Sequence, residues 1–228
     1  MNIQKGYAQR VGLKFKNMLF TNFDRYLKEK RGAIHVGAHE GQERNWYIQQ
    51  GFDKVIWFEP NKELFDRLQK RIEIINGHRA FNLGVHDVLK KATLHISSND
   101  GQSSSILELE RHSFYHPTVT YVDEQEIELI RMDDFFLEGN DYSVLDFNFL
   151  NIDVQGVELN VIKSFGNLIT KMDYIYTEVN EEPLYKNCCL IGEIDQYLKQ
   201  YGFVRKETLM TKNKWGDAFY LKEKNGSI

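Results

Sequence analysis

The chain has few of the residues that mark secreted, zinc-bound or membrane-spanning proteins. Of its 228 residues, three are proline and two are cysteine, the adjacent pair Cys188 and Cys189. Adjacent cysteines form only a strained disulfide, and there is no Cys-x-x-Cys pair or Cys/His quartet. We therefore expect packed thiols, no structural zinc and a reducing compartment, the cytoplasm. No apolar run reaches the roughly 18 residues of a membrane span, and the N-terminus lacks a signal-peptide pattern.

The chain also has no excess of positive charge. Lys and Arg number 29 against 33 Asp and Glu, which gives a net charge of −4. A protein that binds duplex nucleic acid usually carries a basic surface, so we expect no nucleic-acid partner and no membrane insertion. The composition does not determine an oligomeric state. Apolar residues make up 42% of the chain, enough for a sizeable core.

Strand-like and helix-like segments alternate along most of the chain. Short apolar runs predict strands at 33–36, 54–58, 79–85, 147–152 and 174–179. Amphipathic runs, several of them stopped by glycine, predict helices at 43–50, 61–75, 157–165 and 191–201. Asn61 is the predicted N-cap of the second helix. This alternation predicts parallel strands joined by right-handed crossovers. The last two strands, at 203–209 and 218–221, are expected to form an antiparallel pair.

One stretch departs from this alternation. Within residues 88–136, segments 92–96 and 125–132 alternate polar and apolar residues as half-exposed strands do. The polar run 99–105 between them is typical of a loop. We expect a β-rich insertion between the third and fourth strands of the sheet, lying over the active site.

The first segment whose residues suit ligand binding is the turn after the first predicted strand. Residues 34–41 have the sequence Ile-His-Val-Gly-Ala-His-Glu-Gly, in which Gly37 and Gly41 let a ligand approach the backbone. The spacing differs from that of dinucleotide-binding turns and favours a nucleoside without a pyrophosphate. Glu59, at the end of the second strand and before Pro60, is placed to accept hydrogen bonds from a ribose. A tight turn and a helix cap are the structural alternatives.

Two carboxylates follow neighbouring strands of the second half. Asp153 comes after strand 147–152, and Glu178 lies at the end of strand 174–179. Because the carboxyl ends of parallel strands meet at one edge, we expect the two side chains to be adjacent. Such a pair either shares a proton or holds a cation.

Taken together, these segments resemble the FkbM family of S-adenosylmethionine-dependent methyltransferases. The resemblance rests on 35–41, 58–60, 153–158, 174–180 and 215–218, and it extends over about residues 30–222 in the correct order. It implies the class I methyltransferase Rossmann-like fold, an α/β three-layer sandwich with a mostly parallel seven-stranded sheet. The implied organisation is a helical lead-in at 1–31, a methyltransferase domain at 32–222 and a tail at 223–228.

The resemblance also implies a set of cofactor-binding residues. Those for the methionine side are Gly37, Ala38, His39 and Gly41; those for the ribose are Glu59 and Pro60; those near the adenine are Asn82 and Leu83; and Asp153, Ser104 and Ser105 complete the pocket. Many class I methyltransferases carry an acid at the position of His35, so the contact to the methionine ammonium is not assigned to this residue.

The implied activity is in-line methyl transfer to a hydroxyl of a sugar, glycan or related secondary metabolite. A hydroxyl needs a base as it attacks, and Asp153 is the first candidate for this catalytic role and Glu178 the second. His39 and Asp217 are weaker candidates. A divalent ion held by the two carboxylates is an alternative, but two ligands are few, so no metal site is predicted. The alternative function is a nucleotide-binding or NAD-type domain without methyl transfer.

Overall fold

Ten strands form two sheets in the computed structural model, which describes residues 23–88, 90–137 and 141–223. In chain order the strands are β1 (Gly32–Val36), β2 (Lys54–Phe58), β3 (His78–Phe81), β4 (Gly84–Val85), β5 (Lys91–Ser97), β6 (Tyr121–Ile130), β7 (Phe149–Ile152), β8 (Tyr174–Asn180), β9 (Phe203–Met210) and β10 (Trp215–Lys222). The helices are α1 (Arg44–Gln50), α2 (Lys62–Ile72), α3 (His112–Tyr115), α4 (Met132–Leu137), α5 (Glu158–Ser164) and α6 (Ile191–Lys199). Short 3-10 turns lie at Asp24–Tyr26, Val144–Asp146 and Gly166–Lys171.

The main sheet has seven strands in the order β3-β2-β1-β7-β8-β10-β9. The first five are parallel, and β10 runs antiparallel to both β8 and β9. This confirms the predicted mostly parallel sheet and its final antiparallel pair. The strand order reverses between β1 and β7, and ligands of such sheets bind at the carboxyl ends of the strands beside this reversal.

Helices cover both faces of the main sheet, so the fold has three layers with the sheet in the middle. On one face, β-strand residues such as Ile34 and Ile175 pack against Val161 of α5 and Leu198 of α6. On the other, Trp57, Phe149 and Tyr176 pack with Tyr47 of α1 and Leu68 of α2. Every residue of β1 and β8 is buried, as expected for central strands covered on both sides.

The predicted cap of the second helix is confirmed in detail. The Asn61 side chain accepts hydrogen bonds from the backbone N–H groups of Glu63 and Leu64 at the start of α2. The helix ends at Ile72, earlier than the predicted 75. Leu64, Leu68 and Ile72 form its buried face, as the helical spacing of these residues indicates.

Strands β5 and β6 of the insertion form a second sheet with β4, which precedes the insertion, in the order β4-β6-β5. The single strand predicted at 79–85 is wrong, because the chain leaves the main sheet after Phe81 and pairs Gly84 with Leu129 in the second sheet. The Asn82 amide between the two short strands donates hydrogen bonds to the carbonyl oxygens of Glu59 and Pro60, both at 2.9 Å. These hydrogen bonds fix the backbone at the point where the chain leaves the main sheet and enters the second one.

The helical lead-in predicted at 1–31 is described only from residue 23. There the chain makes a 3-10 turn at Asp24–Tyr26 and then continues without a helix to β1. The extended part is held by side chains of the sheet: Tyr174 Oη accepts from the N–H groups of Lys28 and Glu29, and Asn148 Oδ1 accepts from Arg31 N at 3.0 Å. Residues 1–22 and residues 224–228 of the predicted tail lie outside the described residues.

The adjacent cysteines are both buried and unbridged, in agreement with the predicted packed thiols. Within the described part of the chain, no helix has the length and apolar character needed to cross a membrane.

Candidate active site

The glycine turn after β1 is clamped between the ends of β2 and β7. Gly37 has φ +79°, and the N–H groups of Gly37 and Ala38 both donate to Phe58 O, at 3.0 and 3.1 Å. A Cβ atom on Gly37 would lie 1.8 Å from the carbonyl oxygen of Asp153. The turn therefore lies directly against the backbone of a predicted site residue. Gly41 is similarly restricted, with φ +69° and its Cβ position 2.6 Å from Leu68 Cδ1.

Replacing Gly37 by Ala should destabilise the protein by about 1–3 kcal/mol or more, because the new Cβ overlaps Asp153 and the backbone is left-handed. Thermal unfolding should show a decrease in Tm, at about 2–4 °C per kcal/mol for a chain of this size. Gly51→Ala is the matched control, since Gly51 has the same φ of +79° but no atom within 4 Å of its Cβ position. Equal decreases in the two variants would contradict the packing argument.

Glu59 lies at the end of β2 with its carboxyl group buried in the next turn. Oε2 accepts from His39 N at 2.7 Å, and Oε1 accepts from Asn61 N at 2.8 Å. Burial raises the pKa of Glu59 to about 7, although these two backbone hydrogen bonds lower it. Each carboxylate oxygen has a second lone pair, so two acceptor positions remain for ligand hydroxyls.

The His39 ring is held in place by a backbone carbonyl group and a side-chain amide. Its Nε2 lies 2.8 Å from Asp100 O in the insertion loop, and its Nδ1 lies 2.8 Å from Gln42 Nε2. Both ring nitrogens are thus occupied by protein groups, which leaves neither as an open base. The contact with Asp100 brings loop 97–105 of the insertion onto the glycine turn.

The two predicted serines stabilise that loop. Ser104 Oγ accepts from Ser97 N at 3.1 Å, whereas the almost fully buried Ser105 donates through Oγ to Gln155 O at 2.7 Å. Ser105 therefore joins the insertion to the turn that follows β7. Leu83, predicted near the adenine, is partly buried against the core on the α5 and α6 side of the sheet.

Asp153 and Glu178 are brought together by a third side chain. Gln155, which has φ +59°, donates through Nε2 to Asp153 Oδ1 at 2.8 Å and to Glu178 Oε2 at 2.6 Å. Tyr185 Oη donates to Gln155 Oε1 at 2.6 Å and so fixes the orientation of the amide. Asp217 of β10 stands directly opposite Glu178 in the sheet.

This concentration of buried carboxyl groups changes their protonation. Burial raises the pKa of Glu178 well above its usual range, and the charges of Asp153 and Glu158 and a hydrogen bond with Asp153 raise it further. Burial also raises the pKa of Glu158 to about 7, although its hydrogen bond from Gly156 N opposes this effect. A single proton on the pair, held by Glu178, therefore suits the site better than two full charges.

Sequence reasoning missed some residues of this site. Tyr185 lies in the loop after β8, where no motif indicated a role, and its ring is 5.4 Å from that of His112 in the insertion. His112 Nε2 in turn contacts Ser103 Oγ at 3.2 Å. These contacts link residues distant in sequence, so no local pattern could have predicted them. Gln155 lies in a recognised motif, but its bridging position required the fold.

The predicted metal alternative rests on Asp153 and Glu178. Over residues 23–88, 90–137 and 141–223, no group of three or more His, Cys, Asp or Glu side chains is arranged to hold a metal ion. His35, at the position where many class I methyltransferases carry an acid, lies in the core. Its ring stacks on that of Trp57 at 5.1 Å, and its Nδ1 lies 3.2 Å from Tyr47 Oη.

The arrangement of the sheet and site defines a class I methyltransferase fold. The ribosomal protein L11 methylase of Lactobacillus delbrueckii subsp. bulgaricus matches with a TM-score of 0.53 at 9% identity, over 92% of this chain and 79% of that one. A protein of Listeria monocytogenes serotype 4b matches with a TM-score of 0.50 at 8% identity, over 92% and 68% of the two chains. At these identities the likeness concerns the fold alone.

The family follows from sequence comparison. The model of the methyltransferase FkbM domain matches residues 35–205, and the chain belongs to this family. A curated relative, the 2-O-methyltransferase NoeI of Sinorhizobium fredii, is 25% identical over 160 residues, which are 67% of this chain and 65% of that protein. The match thus spans just under two thirds of the relative's length. Residues 35–205 thus form a domain of a methyltransferase family.

Proposed function

We propose that this protein transfers a methyl group from S-adenosylmethionine to a hydroxyl of a sugar, glycan or related secondary metabolite. The observation that carries this proposal is the carboxyl pair Asp153 and Glu178, bridged by the Gln155 amide at the reversal point of the sheet. A relative whose name states methylation of an oxygen supports the same acceptor chemistry.

The carboxyl pair favours a hydroxyl acceptor for a chemical reason. A neutral hydroxyl is a weak nucleophile and has to lose its proton as it attacks, so a base within hydrogen-bond reach accelerates the reaction. Asp153 and Glu178 supply such a base, with Glu178 buried and Asp153 partly buried, where charges interact more strongly than in water. A nucleotide-binding or NAD-type domain without methyl transfer has no comparable use for the pair.

The proposed cofactor-binding residues follow the carboxyl ends of β1, β2 and β3. Gly37, Ala38, His39 and Gly41 line the methionine side, and Glu59 accepts the ribose hydroxyls through its two remaining lone pairs. Pro60, Asn82 and Leu83 lie towards the adenine. The Asn82 amide acts mainly by holding the backbone of Glu59 and Pro60, to which it donates two hydrogen bonds.

The chain's own contribution to the reaction is the removal of a proton. When bound, S-adenosylmethionine would give its methyl group to the acceptor oxygen and leave as the neutral thioether. Asp153 takes the proton of the acceptor hydroxyl. Glu178 keeps its own proton, which its raised pKa favours, and leaves the negative charge on Asp153. Gln155 holds both groups in this geometry, and alignment of this kind contributes about 7–11 kcal/mol in favourable cases.

The insertion at 88–136 forms one wall of the site in this proposal. Asp100 contacts the glycine turn, Ser105 contacts the Gln155 turn, and His112 packs on Tyr185. The domain limits of 32–222 with an insertion remain those predicted from the sequence. The absence of a nucleic-acid partner also stays a prediction, since it rests on net charge alone.

The test is a transfer assay with the full chain and S-adenosylmethionine labelled in the methyl group. The acceptors are a panel of methyl pentosides, hexosides and 6-deoxyhexosides, with total RNA and a mixed protein fraction in parallel. We expect label in at least one glycoside, as a product that resists mild base as an ether does. Label only in RNA or protein would overturn the proposed acceptor class.

Cofactor choice is tested separately by calorimetry. S-adenosylhomocysteine and NAD⁺ are titrated into the protein with and without Mg²⁺. Binding of S-adenosylhomocysteine is expected, and Mg²⁺ dependence would indicate a cation at the carboxyl pair. Binding of NAD⁺ in its place would support the alternative function.

A further inference from the structure

The side chain of Asn180 is buried without a hydrogen-bond partner. Asn180 is the last residue of β8 and is 0% exposed. Neither its Nδ2 nor its Oδ1 has a partner among the residues that the structure describes. A buried amide in this state is unfavourable, because its hydrogen bonds to water are lost on folding and not replaced.

Another buried asparagine provides a direct comparison. Asn148 is equally buried, immediately before β7 at the opposite end of the sheet. Its Nδ2 donates to Glu29 O at 2.9 Å and to Asp173 Oδ2 at 2.8 Å, and its Oδ1 accepts from Arg31 N. The fold can therefore satisfy a buried amide completely, and the amide of Asn180 is one that the protein alone leaves unsatisfied.

The position of Asn180 places this amide beside the carboxyl pair. Side chains on a strand alternate between faces, so Asn180 shares its face with Glu178, two residues earlier. In the antiparallel pairing, Asn180 stands opposite Trp215, and Glu178 stands opposite Asp217. The amide thus lies at the carboxyl end of β8, two residues beyond Glu178, with Trp215 across from it on β10.

We propose that Asn180 binds the acceptor, through the hydroxyl adjacent to the one that is methylated. This inference rests on the proposed function and specifies its acceptor as a vicinal diol. An amide offers both a donor and an acceptor, and a hydroxyl can satisfy both. A carboxylate or phosphate only accepts and an ammonium only donates, so each would leave half of the amide unpaired. The partly buried Trp215 provides an apolar ring for the sugar face.

The first test measures stability without acceptor. Asn180→Leu replaces the unpaired amide by an apolar group of similar size, and the Tm should rise by a few degrees. Asn148→Leu is the matched control and should lower the Tm by about 5–10 °C, because it leaves several buried groups unpaired. A decrease of similar size in both variants would show that Asn180 has a structural role and would overturn the inference.

The second test measures acceptor binding directly. In ¹⁵N-labelled protein saturated with S-adenosylhomocysteine, the side-chain amide signals of Asn180 are identified by their absence from Asn180→Leu. Methyl glycosides with a vicinal diol are then titrated, with monodeoxy glycosides as controls. We expect at least one diol to shift these signals, and Asn180→Leu to bind it about 10–100-fold more weakly while its affinity for S-adenosylhomocysteine stays within twofold.

The two proposals can fail independently. If no glycoside shifts the Asn180 signals, the acceptor role of Asn180 is overturned. If a glycoside shifts them but the wild-type protein does not methylate it or any other glycoside, the proposed acceptor class is overturned while Asn180 remains a diol-binding residue.

Discussion

Asn in place of Asp153 should reduce methyl transfer by about 10²–10⁴-fold, the usual contribution of a positioned general base. The amide cannot take the proton of the acceptor hydroxyl, although it occupies the same space next to the Gln155 amide. The measurement is single-turnover transfer to the best glycoside of the panel. Affinity for S-adenosylhomocysteine, measured by calorimetry, should change little, so the loss would lie in the chemical step.

Glu178→Gln is the matched control for this variant. If Glu178 works in its protonated form, glutamine resembles that form, and transfer should stay within about tenfold of the wild-type rate. A loss as large as that of Asp153→Asn would instead assign the base to Glu178, and unchanged turnover in Asp153→Asn would exclude Asp153.

The stability of Glu178→Gln gives a readout that does not involve turnover. Because the folded protein raises the pKa of Glu178, the neutral form favours folding at low pH, and this contribution is lost as the pH rises through the raised pKa. Glutamine does not ionise. The Tm of the variant should therefore exceed that of the wild type by a margin that grows from pH 5 to pH 8.

The second large effect is expected at Glu59. Glutamine in its place replaces one accepting oxygen by an NH₂ group. This group faces the N–H of either His39 or Asn61, which is itself a donor, and it cannot accept a hydrogen bond from a ribose hydroxyl. We expect the Kd for S-adenosylhomocysteine to rise by about 10–100-fold, as hydrogen bonds to a charged group contribute about 1.5–3 kcal/mol each. Calorimetry at pH 8 measures this change.

The affinity should also depend on pH through the same residue. With a pKa of about 7, Glu59 ionises between pH 6 and pH 8, and only the carboxylate accepts both hydroxyls. The wild-type Kd should therefore fall over this range, and that of Glu59→Gln should not. Glu63→Gln, at the exposed start of α2, is the control and should bind like the wild type. Equal affinities of all three proteins would place the ribose elsewhere.

The order and type of most elements could be predicted because they depend on local patterns. A buried apolar run such as 174–179 is compatible with a central strand of a covered sheet, and β8 is fully buried. The cap at Asn61 involves only backbone groups two and three residues away. The glycine turn, Glu59 and the pair Asp153 and Glu178 were found because the ends of adjacent parallel strands meet in one place.

The errors arose where distant contacts override local preference. Residues 79–85 form a continuous strand-like run, yet Asn82 binds the carbonyl groups of Glu59 and Pro60 and the chain changes sheet. The lead-in is expected to be helical, but Tyr174 and Asn148 hold residues 28–31 without a helix. Such side-chain contacts span many residues and leave no periodic signal.

The sequence alone thus predicts the fold class, the glycine turn and the two carboxylates, since each follows from residue type and spacing along one segment. Other properties emerged from packing. Gln155 bridges the carboxylates, burial raises the pKa of Glu178, and the insertion reaches the glycine turn through Asp100. The unsatisfied amide of Asn180 belongs to the same group, because burial and hydrogen bonding depend on neighbours from every part of the chain.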